Sequence, residues 1–248
     1  MVQKFRLPVI AALVITLALA ASGCKKQQPA PQTQTIYIPS AVINYDEAGQ
    51  EIARVQYTAD TTQLDTGVLV LTGNDELGSR VEVKGGVICE SYQHAPERLE
   101  KYYDSNGYET KSVQIYSDDY DIEREETLYT RDEIGRLTRQ QQVSYYRDDT
   151  ERTTELTYTY VQEGDGSVGT RELNSLVEKI CCDAQGRTLK VQYIMAGQEN
   201  QRTEYTYDEN GNVSSITTYY QGRFTSKRVF TYQAVQVSPE TAAKFPMY

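Results

Sequence analysis

One spacing recurs through this chain more often than composition allows. Asp, two residues, then Gly occurs at Asp46/Gly49, Asp75/Gly78, Asp104/Gly107, Asp132/Gly135, Asp183/Gly186 and Asp208/Gly211. With 14 Asp and 16 Gly in 248 residues, chance supplies roughly one such pair. The gaps between successive Asp residues are 29, 29, 28, 51 and 25, and the long one holds a further turn-like cluster, Glu163-Gly164-Asp165-Gly166. A period of this kind is the mark of a repetitive architecture. The physics of the unit is a turn. The Asp carboxylate accepts backbone N–H groups two residues on, and the Gly takes the left-handed conformation that closes a hairpin.

The flanks read as strands. Leu156, Tyr158 and Tyr160 alternate with Glu155, Thr157 and Thr159. Thr203, Tyr205 and Tyr207 alternate with Glu204 and Thr206. Period two marks a sheet with one drier face. Second turns are expected near 59–62, 94–96, 117–121, 147–150, 174–175, 197–200 and 221–223. Two strands and two turns per repeat place every Asp-x-x-Gly turn on one end of the sheet. The expected fold is all-β: an antiparallel meander of about 14 strands in a strongly curved sheet or open barrel, because large twisted sheets rarely stay flat. Ser238-Pro239-Glu240 starts a short C-terminal helix, with Ser as N-cap and Pro in the first turn.

Composition narrows the function classes. There are 21 Tyr, 4 Phe and no Trp, and mean hydropathy is −0.60. Tyr therefore supplies much of the apolar surface while keeping a polar hydroxyl. The net charge of −10 and the lack of a basic patch exclude a nucleic-acid partner.

The N-terminus carries an address. Lys4 and Arg6 precede an apolar run from Leu7 to Ala20, which is short for a membrane span and right for a signal peptide. Ala21-Ser22-Gly23-Cys24 resembles the lipobox of bacterial lipoproteins, with Ala21 where that family usually has Leu. The resemblance implies cleavage before Cys24 and acylation of its thiol. Each buried methylene of the lipid contributes about 0.8 kcal/mol, so a multiply acylated Cys24 is a firm membrane anchor. The organisation expected is a signal peptide at 1–23, the lipidated Cys24 and flexible tether at 24–35, a repetitive domain at 36–237, and a helix and tail at 238–248. The tether KKQQPAPQTQT reaches roughly 35 Å at about 3.3 Å per residue. The expected location is the extracytoplasmic side of the cell membrane or the outer membrane. Lys25, rather than Asp, after the cysteine favours the outer membrane where the host has one.

The repeats resemble the YD-repeat (RHS-type) family, whose unit begins Tyr-Asp and ends Gly-Arg-Leu. Tyr45-Asp46, Tyr103-Asp104 and Tyr207-Asp208 match its start; Gly135-Arg136-Leu137 and Gly186-Arg187 match its end. That resemblance spans most of residues 44–235 and implies stacked hairpins in a winding sheet, often on a cell surface. No copy carries the full motif, and the chain is far shorter than the toxin-delivering members.

Chemistry is sparse. Gly164-Asp165-Gly166-Ser167-Val168-Gly169 matches a dinucleotide-binding glycine pattern, but no helix is expected after it. His94 stands alone, no zinc spacing exists, and no cofactor is expected. The acidic run 118–126 offers Asp118, Asp119 and Asp121 as calcium-ligand candidates, although it lacks EF-hand spacing and a solvated turn explains it equally. Tyr120, Tyr146, Tyr219 and Tyr220 are the candidate surface-binding rings, since one member of a Tyr doublet must face outward. Cys89 could pair with Cys181 or Cys182, or all three could be buried thiols. The reading is a non-enzymatic, lipid-anchored envelope protein whose sheet binds or scaffolds a protein or glycan. The alternative is a lipid or lipoprotein carrier with a dry, half-closed cavity. A glycan hydrolase would need two carboxylates facing across a cleft.

Overall fold

A computed structural model describes residues 33–93, 95–104, 107–173 and 175–245. Cys24 and the signal and tether residues before 33 lie outside the described residues, as does His94. The chain forms β1 (Gln34–Tyr45), β2 (Glu51–Asp60), β3 (Val68–Gly73), β4 (Ser79–Lys84), β5 (Val87–Tyr92) and β6 (Ala95–Tyr103). Next come β7 (Glu109–Ile115), β8 (Ile122–Arg131), β9 (Leu137–Tyr146), β10 (Glu151–Thr157), β11 (Thr159–Glu163) and β12 (Gly166–Leu173). The last are β13 (Leu176–Cys182), β14 (Thr188–Met195), β15 (Gln198–Tyr207), β16 (Val213–Tyr220), β17 (Arg223–Val237) and helix α1 (Pro239–Ala242).

The result is an all-β antiparallel meander of 17 strands in a nearly closed, barrel-like sheet. Successive strands pair as hairpins, and β17 returns to pair with β1 along Gln34–Tyr45. An antiparallel meander can close antiparallel only with an even number of passes. The chain meets this condition because β10 and β11 run in the same direction as one interrupted strand. Two strands act as corners. β2 pairs with β1 through Glu51–Gln56 and with β3 through Tyr57–Asp60. β10 pairs with β9, and β11 with β12. Between them Tyr158 gives its N–H to the Thr138 carbonyl at 2.9 Å. Strands that change partner in this way are how packed sheets turn corners.

The rims correct the sequence expectation that all six Asp-x-x-Gly turns share one end. β1 starts at what we call the near rim. The turns Asp46/Gly49 and Asp75/Gly78 lie at the far rim. The turns Asp104/Gly107, Asp132/Gly135, Asp183/Gly186 and Asp208/Gly211 lie at the near rim. The cause is Gly85-Gly86, both at positive φ (58° and 79°), which make an extra turn between β4 and β5. Three strands then separate Gly78 from Asp104, and an odd number reverses the end. The fourteen expected turns bound about fifteen strands; the Gly85-Gly86 turn adds one and the interruption between β10 and β11 another, which makes 17.

The apolar core is divided. The larger cluster joins Ile36 and Ile38 of β1, Leu69 and Leu71 of β3, Val83 of β4, Ile88 of β5 and Val237 of β17. The C-terminal segment closes it. Ser238 caps α1 by accepting the Thr241 N–H at 3.1 Å, and Phe245 is 1% exposed in the cluster. The smaller cluster is Tyr158, Ile180 and Cys182, with Leu137, Leu156, Tyr160 and Val191 against it. Cys89, Cys181 and Cys182 are free thiols.

Candidate functional site

The six Asp-x-x-Gly turns share one set of bonds. Gly49, Gly78, Gly107, Gly135, Gly186 and Gly211 each donate the backbone N–H to the carbonyl of their Asp at 3.0–3.1 Å. All six have positive φ, from 65° at Gly78 through 80° at Gly107 and 88° at Gly211 to 91° at Gly135. Each Asp Oδ1 accepts the N–H four residues on, at Gln50, Ser79, Tyr108, Arg136, Arg187 and Asn212. In four turns Oδ2 takes that same residue's side chain: Ser79 at 2.5 Å, Arg136 at 2.6 Å, Arg187 at 2.7 Å and Asn212 at 2.9 Å. Burial pushes the Asp75, Asp132 and Asp208 carboxyls up, but these hydrogen bonds outweigh it and hold them below the usual range. The turn carboxylates are therefore engaged in turning the chain, and the turn glycines carry no site of their own.

The far rim gathers different residues. The segment from Tyr116 to Asp121 joins β7 to β8, and the hairpin between β9 and β10 lies beside it. Arg147, at the start of that hairpin, fastens the two together. Its Nε donates to the Tyr120 carbonyl and its Nη2 to the Ser117 carbonyl, both at 2.9 Å. Its Nη1 meets Asp118 Oδ1 at 2.9 Å, and its backbone N–H reaches the Asp121 carbonyl at 3.0 Å. Tyr116 and Tyr120 pack with ring centroids 5.5 Å apart, and the Arg124 guanidinium lies 4.3 Å from the Tyr145 centroid. On the opposite face of β8 from Arg124, Glu125 accepts from the Tyr116 hydroxyl (2.5 Å), Gln142 (2.7 Å) and Ser144 (2.8 Å). Burial, with the Glu125 bond, pushes Tyr116 up to about 12. Glu125 moves down: burial raises it, but its three donors win. A cleft of about 300 Å³ opens here, lined by Glu123, Arg124, Tyr145, Tyr146, Asp149 and Glu151 among others.

This arrangement does not bring the calcium candidates together. Asp118 is held by Arg147, its side chain is 98% exposed, and among the described residues no three His, Cys, Asp or Glu side chains converge on a metal position. Asp119 and Asp121 sit on the same loop without joining it in a ligand set. Of the four candidate tyrosines, Tyr146 lines this cleft, and Tyr120 (53% exposed) lies on the neighbouring loop against the Tyr116 ring. Tyr219 and Tyr220 sit on β16 in another part of the ring. Tyr219 pairs with Arg202, whose guanidinium is 4.2 Å from its ring, and touches Phe224 edge-on at 6.2 Å. Tyr220 is 50% exposed on the opposite face. Arg124, Arg147 and Glu125 were missed by sequence reasoning. The only local hint was the run Tyr145-Tyr146-Arg147, which places a cation directly after a Tyr doublet.

No family model and no curated protein matches this chain. Among solved structures it is similar to a porin-like protein from Bacteroides uniformis, at 10% identity over 79% of this chain and 98% of that one, with a TM-score of 0.40. A porin-like protein from Bacteroides vulgatus is similar at 13% identity over the same shares, with a TM-score of 0.36. The likeness lies in the fold alone.

The strand faces set what the ring can hold. The face that carries Leu69, Leu71 and Val83 continues across β5 to β9 as a polar ladder. Lys101 meets Glu90 at 2.9 Å, Ser112 meets the Tyr129 hydroxyl at 3.1 Å, and the Glu125 network follows. Across the ring, Arg171 and Glu178 form a buried ion pair, and the Tyr158 hydroxyl donates to Glu178 at 3.2 Å. Among the described residues the exposed large apolar side chains fall in small groups. Ile52, Leu128, Val161, Leu173, Leu189 and Met195 lie on strands, and Leu77 and Ile134 lie in turns. A membrane-spanning barrel needs a continuous apolar band about 25 Å tall on its outside. Among the described residues these form no such band.

Proposed function

We propose that this chain is a lipid-anchored, non-enzymatic envelope protein that presents a binding surface at its far rim. One observation carries the reading. The chain enters the ring at the near rim through Gln34, whereas the Tyr–Arg–carboxylate cleft lies at the opposite rim. A tether anchored at Cys24 leaves that cleft free to meet a protein or glycan. The lack of a continuous exposed apolar band among the described residues supports an attachment through lipid on Cys24 rather than through the strands. The polar ladder on β5–β9 counts against the lipid-carrier reading, which needs a dry cavity wall.

The test is fractionation of cells expressing the wild-type chain or Cys24→Ser, with metabolic labelling by an alkyne fatty acid. The wild-type chain is expected to take the label and pellet with membranes. Cys24→Ser is expected to lose the label and appear in the soluble fraction. A Cys24→Ser chain that stays in membranes through an alkaline wash overturns the proposal and shows that the strands themselves are embedded. Glycan and surface-protein arrays probed with Tyr146→Ala and Glu151→Gln beside the wild type then test the cleft.

A further inference from the structure

The corner at Tyr158 leaves a strand edge unpaired. β11 and β12 are joined by the two-residue loop Gly164-Asp165, so Glu163 and Gly166 form the closing pair. In such a ladder hydrogen-bonded residues alternate. Thr159, Val161 and Glu163 therefore exchange backbone bonds with Thr170, Val168 and Gly166, while Tyr158, Tyr160 and Gln162 aim their N–H and C=O groups the other way. Tyr158 uses its N–H on Thr138. Beyond it β9 leaves the edge. The Asp132 turn closes on itself through Asp132 N–H to the Arg136 carbonyl, and Arg136 lies across one face of β11, 4.7 Å from the Tyr160 centroid. No described strand pairs with the outer edge of β11.

The other face of this edge is apolar and open. Val161 is 61% exposed and stands beside Val168, which pairs with Cys181. Val168, Cys181 and Leu189 line a groove of about 360 Å³ whose rim carries Glu163, Asp165 and Asp183. Asp183 is engaged by Arg187, but Glu163 and Asp165 have no ion pair among the described residues. Natural edges are usually blunted by Lys, Pro or a covering loop; β11 has neither Lys nor Pro.

We propose that the β11 edge is a strand-addition site for an extended segment of a basic partner polypeptide. The partner strand bonds to Tyr160 and Gln162, places an apolar side chain against Val161 over the groove, and reaches Glu163 and Asp165 with Lys or Arg. Backbone bonds supply affinity in this mode and alternate side chains supply specificity. Charge selects the occupant. A second copy of this chain, itself at −10, would bring its own Glu163 and Asp165 to the same place.

The experiment uses residues 24–248 and a short synthetic strand peptide that sets valine and lysine two residues apart on one face, with threonine between them, and a counterpart carrying glutamate in place of lysine. Affinity is read by calorimetry and site by amide hydrogen exchange. The lysine peptide is expected to bind, to slow exchange at Tyr160 and Gln162, and to weaken at least about tenfold in Gln162→Pro, which removes one outward N–H that an edge strand can spare. Glu163→Gln with Asp165→Asn is expected to weaken it several-fold and more so at low salt. Equal binding of the glutamate peptide overturns the charge assignment. Unchanged binding in Gln162→Pro, with the wild-type circular dichroism spectrum retained, overturns strand addition. Concentration-dependent protection of the same amides without peptide, together with a dimer by light scattering, assigns the edge to a second copy instead.

Discussion

The turns at Asp46–Gly49 and Asp183–Gly186 have the same spacing, the same Oδ1 bonds to backbone N–H and nearly the same Gly φ, 73° and 80°. Their surroundings are unlike. A Cβ on Gly49, at the far rim, would meet nothing within 4 Å. One on Gly186, at the near rim, would come within 2.2 Å of the Ile134 carbonyl, because the Asp132 and Asp183 turns lie against each other. Gly135 is similarly occupied, with the Tyr108 ring 2.3 Å from the place of a Cβ. Gly78 and Gly211 fall between these extremes. A Cβ on Gly78 would press on the Gln93 side chain at 2.7 Å, and one on Gly211 would only reach Arg187 Nη1 at 3.8 Å. A local motif fixes the turn, and the neighbours that the ring brings to it decide whether it also becomes a packing contact.

The sharpest way to break this comparison is to add a methyl group at both places. Gly49→Ala is expected to cost about 1–2 kcal/mol, the price of left-handed backbone for an L-residue. Gly186→Ala adds a clash with main chain and is expected to lose roughly 2–5 kcal/mol in urea unfolding. Equal losses would show that the near-rim turns separate freely.

The tyrosines that precede two of the turns, Tyr207 at the near rim and Tyr45 at the far rim, give a smaller contrast. The Tyr207 hydroxyl donates to the Thr188 carbonyl at 2.8 Å, and Arg187 lies 4.7 Å from its ring. Tyr45, before Asp46, has no hydroxyl hydrogen bond among the described residues. Tyr207→Phe is expected to cost about 1 kcal/mol at neutral pH, and Tyr45→Phe less than half of that. Burial pushes Tyr207, Tyr193 and Tyr232 up to about 12. A raised folded value favours the protonated ring, so this stability is intact below about pH 10, where an unfolded Tyr ionises, and is lost as pH rises towards 12. Alkaline unfolding followed by circular dichroism should fall in that window, and Tyr207→Phe should make it shallower.

The turn carboxylates have the opposite sign. The folded value of Asp208 lies below the unfolded one, so its contribution is present above about pH 4 and disappears as pH falls through the folded value. Asp208→Ala is expected to cost about 1–2 kcal/mol at pH 7 and progressively less as pH falls below about 4. A loss that is unchanged in acid would assign the effect to backbone freedom instead of to the carboxylate.

Much of the local structure was legible. The sequence alternation of Leu156, Tyr158 and Tyr160 corresponds to a strand that fills one dry cluster. Ser238-Pro239 starts a helix with the Ser cap in place. The strand count was less legible, because β4 and β5 are only six residues each and Gly85-Gly86 lacks the Asp signature. That same missed turn is why Gly78 and Gly107 were expected at one end and stand at opposite rims. The interruption at Tyr158 was invisible, since the alternation runs through it unbroken. The far-rim cleft was half legible. Tyr120 and Tyr146 were readable as outward rings, but their loops are neighbours only because Arg147 ties together two loops separated by a hairpin.

By itself the sequence determined where the chain turns. An Asp side chain reaches N–H groups two and four residues away, and a Gly adopts positive φ, whatever lies beyond the hairpin. Only the tertiary structure decided which rim each turn joins, which turns pack on one another, and which edge stays open. Those depend on the parity of the strand count and on the change of partner at Tyr158, which arise between segments far apart in the chain and leave no local periodicity to read.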